Sequence, residues 1–219
     1  MINLLKRFVC VFLIAGGGLA LAGSYDDFFT AIKKNNASAM QNLLDRGLDP
    51  NLISPDKVPG LVIALRESSF AVVHVLLSHP ELDVNILTTE DESPLMLAAL
   101  KGNYEICLKL IEREADVNKT GWTPLHYAAT GGHVKLIQLL LDHFAYIDAA
   151  SPNGTTPLMM AAMYGSSSAV KLLLESGADW NLKNEKNLSA LNFAMQAKKT
   201  DAIEVIAAFI RAQGISNAW

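Results

Sequence analysis

Cysteine, aromatic residues and positive charge are all scarce in this chain of 219 residues. Cys10 and Cys107 are its whole thiol complement, too few for the disulfide framework of a small secreted domain. Aromatic residues make up only 7% of a chain that is 51% apolar, so the apolar content is mostly Ala, Leu, Ile, Val and Met. That mix favours helices over a β-sandwich, because small and unbranched side chains lose little rotamer freedom in a helix. Lys and Arg number 18 against 22 Asp and Glu, with no basic run. Such a balance argues against nucleic acid or an anionic membrane surface as a partner. No Gly-rich phosphate loop, nucleophile elbow or HExxH motif occurs, so nothing in the pattern supports catalysis or a bound cofactor.

The N-terminal segment reads differently from the rest. Lys6 and Arg7 form a short basic region, residues 8–22 carry no charge, and the stretch ends in Ala20-Leu21-Ala22. This small-x-small ending predicts a secretory signal peptide over residues 1–22, with Gly23 opening the mature chain. The uncharged run of 15 residues contains Gly16, Gly17 and Gly18 and falls short of the about 20 apolar residues of a spanning helix. Stable membrane insertion after cleavage is not expected, although an uncleaved inner-membrane anchor is the alternative. Loss of Lys6 and Arg7 leaves 16 basic against 22 acidic residues, moving the formal charge from −4 to −6. Cys107 then stands alone, an internal disulfide is impossible, and the mature fold must be held by packing.

The remainder of the chain repeats itself. Thr123-Pro124-Leu125-His126-Tyr127-Ala128-Ala129 recurs as Thr156-Pro157-Leu158-Met159-Met160-Ala161-Ala162, upstream as Ser93-Pro94-Leu95-Met96-Leu97-Ala98-Ala99, and more faintly from Pro59 and from Ser189. A second landmark follows each copy: Asp83-Val84-Asn85, Asp116-Val117-Asn118, Tyr146-Ile147-Asp148 and Asp179-Trp180-Asn181, with Asp49-Pro50-Asn51 ahead of the first. Ser or Thr before Pro is a helix cap followed by the first helical position, where a missing N–H costs nothing. The Ala pairs allow a short first helix to approach its neighbours closely. Gly102, Gly132 and Gly165 are expected at positive φ just after that helix, and Gly47 and Gly177 end the second. Asp26-Asp27 is expected to open the first helix, where acidic groups complement the dipole. The period breaks once: three residues are missing between Asn118 and Pro124, which shortens that turn. No unit could bury its apolar face alone, so stacking is obligatory.

These units resemble the ankyrin-repeat family, whose signature combines T-P-L-H-x-A-A, a Gly-His pair, a Leu-rich second helix and a G-A-D-V-N turn. Thr123 to Ala129, Gly132-His133 and Gly177-Ala178-Asp179 carry the resemblance most closely. It implies an all-α solenoid of about six helix–turn–helix units joined by short β-hairpin-like turns. The units span about 25–51, 52–85, 86–118, 119–148, 149–181 and 182–214 within a domain of 23–214. Residues 215–219 form a tail without a repeat partner. The first, second and sixth units lack T-P-L-H, as terminal caps with a polar outer face do.

The resemblance also assigns His126 the structural role of tying Thr123 to neighbouring backbone, and His133 a similar one at the Gly-His corner. His74, His79 and His143 show no ligand spacing, so no metal is expected. Cys107 aligns with Ile137 and Val170 and reads as a small buried hydrophobe; a redox-sensing thiol is the alternative. Trp180 is expected to pack between adjacent hairpins rather than to form a site.

Ankyrin proteins meet partners on the concave face made by hairpin tips and first helices. By register, that face carries Trp122, Met163 and Tyr164, with Leu100, Lys101 and Leu188 nearby. Large apolar groups left exposed there are candidate interface anchors. The competing role for Trp122 is to fold over the shortened turn. The expected function is therefore a non-catalytic interaction module, monomeric, bacterial, periplasmic or secreted, with a protein partner that the sequence does not name. A secreted effector or immunity-type protein is one rival, and a periplasmic regulator or protector of an enzyme under oxidative stress is the other.

Overall fold

A computed structural model describes residues 18–214, with side chains from Gly23 onward. Most of the expected signal segment (residues 1–17) and the tail 215–219 lie outside the described residues. Among those described are twelve helices and no strands, and none of the helices is long and apolar enough to cross a membrane.

The helices form six antiparallel pairs: α1 (Gly18–Lys33) with α2 (Ala37–Asp45), α3 (Gly60–Arg66) with α4 (Phe70–Ser78), and α5 (Pro94–Leu100) with α6 (Tyr104–Glu112). Then follow α7 (Pro124–Gly131) with α8 (Val134–Asp142), α9 (Pro157–Met163) with α10 (Ser167–Glu175), and α11 (Ala190–Gln196) with α12 (Thr200–Ala212). First helices stack on first helices and second on second, giving two layers. Between them lies one continuous core that includes Ala98-Ala99, Ala128-Ala129 and Ala161-Ala162, all buried. A short first helix faced with alanine lets its neighbour approach until backbone nearly touches backbone. Gly165 shows how closely: an added Cβ would sit 2.3 Å from the carbonyl oxygen of Ala129. The positive φ expected for Gly165 is not found, whereas Gly102 and Gly132 have it at +74° and +67°. Glycine is required at position 165 by close packing instead.

The capping expectation holds for α5 and α9, whereas Thr123 ahead of α7 pairs with His126 instead. Ser93 and Thr156 accept hydrogen bonds from the backbone N–H of Met96 (3.2 Å) and Met159 (3.4 Å). The expectation for Asp26-Asp27 does not hold, because α1 begins at Gly18 and its first turn has no acidic residue. Leu19 to Ala22 are strong helix formers, so the helix starts earlier and runs on through Gly23.

Neighbouring units are stitched by a ladder built on the Asp-x-Asn landmark. Asn51 accepts from the N–H of Asp83 (2.7 Å) and donates to the carbonyl of Glu81 (2.8 Å). Asn85 bonds Asp116 and Glu114 in the same way, and Asn118 bonds Tyr146 and Phe144. At the fourth rung stands Asp148, which accepts from Asp179 N–H at 3.1 Å but has no N–H to offer the equivalent carbonyl of Gly177. Partial burial, reinforced by the charge of Asp179, pushes its carboxyl above the ordinary value despite the backbone N–H it accepts. A folded-state value above the unfolded one means stability is lost as pH rises through the titration. Asp148→Asn is therefore expected to add about 1 kcal/mol near neutral pH by restoring the missing donor. The gain should shrink as pH falls toward 4; a urea midpoint unchanged at pH 7 would refute it.

Candidate functional site

The fingertips that overhang the first helices share one local design. In four of them the N–H of the first turn residue donates to the carbonyl of the fifth: Ser54 to Val58, Thr88 to Glu92, Ser151 to Thr155 and Asn184 to Leu188, at 2.9, 3.0, 3.0 and 3.1 Å. The side chain of the first residue also accepts the N–H of the fifth. The fourth unit lacks the residues for this turn. In their place Lys119 donates to the carbonyls of Thr120 (3.0 Å) and Trp122 (3.4 Å) and pairs with Asp91 of the preceding finger. A lysine thus substitutes for the missing hairpin.

The shortened turn sets Trp122 over the N-terminal end of α7. Its indole meets the His126 ring edge-on, with centroids 5.1 Å apart and planes at 75°. His126 is fully buried. Its Nδ1 accepts the Thr123 N–H (3.2 Å) and lies 2.9 Å from Thr123 Oγ1; its Nε2 lies 2.9 Å from the carbonyl of Thr155 in the next finger. Burial pushes its pKa down to about 4, against the opposing pull of the Thr155 carbonyl. The ring is therefore neutral, carries its hydrogen on Nε2 and serves structure. His133 plays the corner role, with Nε2 3.1 Å from the Leu100 carbonyl.

Leu100 of α5, Trp122, His126, Tyr127 and Thr130 of α7, and Met160 of α9 enclose a cavity of about 210 Å³. Two of the sequence candidates, Leu100 and Trp122, come together there. Tyr127 and Met160 are additions that the register argument missed. They lie three residues before Thr130 and Met163, one helical turn back, so they share the face already identified. Met163 and Leu188 are half-buried against the core. Tyr164 is 55% exposed, Lys101 is also exposed, and neither lines the cavity. One cavity wall is held rigidly: the Tyr127 hydroxyl donates to Glu92 (3.1 Å), and Glu92 pairs with Arg66 at 2.6 Å. Burial, then the Glu92 charge, pushes the Tyr127 phenol up to about 12, so it remains a donor.

A second hollow of about 580 Å³ lies at the other end of the same face. Tyr25, Phe29 and Lys33 of α1 contribute to it, with Asp56 of the first finger and Ile63 and Arg66 of α3. Elsewhere, Cys107 is fully buried, and desolvation pushes its thiol up to about 12, which fits a core residue and not a reactive thiolate. Trp180 is half-buried against the core. Among the described residues, no three His, Cys, Asp or Glu side chains are grouped to hold a metal ion.

Known proteins share this architecture. The family model for ankyrin repeats (3 copies) matches residues 28–120 and 114–184. The human transient receptor potential cation channel subfamily A member 1 is 32% identical over 114 residues, 51% of this chain and 10% of that protein. The rat ankyrin repeat and SAM domain-containing protein 6 is 31% identical over 102 residues, 45% of this chain and 12% of its own length. The chain thus spans only about a tenth of either. The zebrafish (Danio rerio) Notch-regulated ankyrin repeat-containing protein B is 32% identical over 93 residues, 40% of this chain and 84% of its own. A crystal structure of an ankyrin repeat domain from Acinetobacter baumannii AYE superposes with a TM-score of 0.71. It covers 83% of this chain and 96% of its own at 22% identity.

Proposed function

Because the chain belongs to the ankyrin-repeat family, we propose that it is a non-catalytic protein–protein interaction module of the periplasm or cell exterior. Residues 1–22 direct it there and are removed. The monomeric solenoid then holds a partner protein on the face made by fingertips and first helices. Ankyrin repeats generally mediate protein–protein interaction; the compartment rests on the basic, apolar and small-x-small order of the N-terminal segment.

The observation that carries this reading is the cavity beside Trp122. Its lining is drawn from three successive units and the one irregular turn, so it exists only because the units stack. At about 210 Å³ it is smaller than the roughly 300–1,000 Å³ of small-molecule sites and accommodates a single protruding side chain. Aromatic and apolar groups around such a recess are the usual material of interface anchors.

Affinity capture from a periplasmic extract tests it. Tyr164→Ala alters an exposed side chain and is expected to change stability by less than about 0.5 kcal/mol while reducing capture. Trp122→Ala should abolish capture and cost about 1–2 kcal/mol as well, since the indole also packs on His126. A single retained protein lost from both variants supports the reading. Capture unaffected by either would overturn it, and recovery of the protein from the cytoplasm alone would overturn the location.

A further inference from the structure

We propose that the strip across α7, α9 and α11 holds an extended, uncharged, apolar segment of the partner, about five or six residues long, with one side chain in the cavity beside Trp122. This rests on the binding reading above and supplies the chemistry of the partner.

The strip is defined by register. The register positions are the fingertip residue before the cap and the helix residues four, seven and eight after it, of which Leu97, Thr155 and Phe193 are buried. Most of these positions in the first two units line the larger hollow, whereas Leu100, Trp122, Tyr127, Thr130 and Met160 line the smaller one. Charge divides sharply along them. The first three units carry Lys33, Lys34, Arg66, Glu67, Glu92 and Lys101 there. The last three carry no charge at any of these positions, with Tyr127, Thr130, Met160, Met163, Tyr164 and Gln196 among them.

An uncharged surface selects its occupant by what it refuses. A Lys or Asp pressed onto Met160 and Met163 would lose water and find no counter-ion, a cost that an uncharged side chain avoids. A nucleic-acid strand would need cations where there are none. The methionines are unbranched and polarisable, so they can fit apolar side chains of differing shape. The length follows from the stacking. Two helix spacings of about 8–10 Å separate α7 from α11, about 16–20 Å in all, and an extended chain advances about 3.3 Å per residue.

The test uses the chain lacking residues 1–22 and an array of immobilised peptides whose uncharged apolar stretch is graded in length. Retention should rise with the stretch and level off at about six residues. One central Lys or one central Asp should each lower it about tenfold or more, and added salt should leave it unchanged. Gln196→Lys places a charge at an exposed position on α11, where misfolding is not a concern. It should weaken the uncharged peptide and rescue the peptide carrying Asp. Thr130→Trp should fill the cavity mouth and abolish retention in both. Retention that follows one sign of peptide charge, that falls with salt, or that is absent for every peptide overturns the inference. Should a folded partner still be captured in that event, the interaction reading survives and only the occupant is wrong.

Discussion

Replacing Arg113 with alanine is expected to lower the stability of the solenoid by about 3 kcal/mol. The reason lies in how α4 ends. In α6, α8 and α10 the chain turns back so that a backbone N–H five residues on reaches the carbonyl of Leu110, Leu140 or Leu173, each at 2.9 Å. After α4 the sequence is His79-Pro80, and proline forces its predecessor into an extended conformation, which His79 adopts at φ −81° and ψ 126°. The N–H of Leu82 therefore reaches only the His79 carbonyl, at 3.2 Å, and the register-equivalent carbonyl of Leu77 is left without its backbone donor. The guanidinium of Arg113 fills the gap from the next unit. One nitrogen donates to Leu77 (2.5 Å) and His79 (2.7 Å), the other to Pro80 and Leu82 (both 3.2 Å). Only the planar fork of arginine serves four carbonyls at once. Arg113→Lys should accordingly recover less than half of the loss. At about 2–4 °C per kcal/mol for a chain of this size, Arg113→Ala should melt about 6–12 °C lower by circular dichroism. A shift below about 2 °C would show that water replaces the fork.

Arg113 also marks where the sequence stops being informative. The period, the caps and the buried alanines are legible because they are local: each depends on residues a few positions apart and recurs from unit to unit. The Asp-x-Asn landmark is equally visible, yet the Asn side chains act on the following unit, a distance the pattern alone does not reveal. Arg113 acts 31 to 36 residues upstream on backbone carbonyls, which leave no trace in side-chain identity. The shortened turn is a related case. Counting residues shows that the hairpin is truncated, but not that Lys119 bridges it to Asp91. The candidate site was half legible for the same reason. Register finds Leu100 and Trp122, whereas the inclusion of Tyr127 and Met160 depends on how deep each side chain sits between stacked helices.

The second large effect concerns acid. His126 is buried and titrates at about 4, against an ordinary histidine value of 6.5. The unfolded chain takes up a proton at this residue below 6.5, and the folded chain does not until about 4. The unfolded state thus binds more protons across that window, and stability falls as pH falls through it, by about 3 kcal/mol in all. Above 6.5 both states are neutral and the residue contributes no slope. The chain itself supplies the control. Met96 and Met159 occupy the position of His126 in the flanking units, and their sulfurs accept the N–H of Ser93 and Thr156 at 3.3 and 3.4 Å, as Nδ1 does for Thr123. His126→Met should therefore keep the cap and the core volume while losing the bond to the Thr155 carbonyl, a cost of about 1 kcal/mol at neutral pH. It should also abolish the acid slope. Urea midpoints of the two proteins should then cross between pH 6.5 and 4, with the variant weaker above the crossing and stronger below it. Carboxylates elsewhere titrate alike in both and cancel in the difference. Parallel curves would mean that the acid sensitivity of this solenoid lies in its carboxylates and not in the one histidine that ties Trp122 and the shortened turn to the next finger.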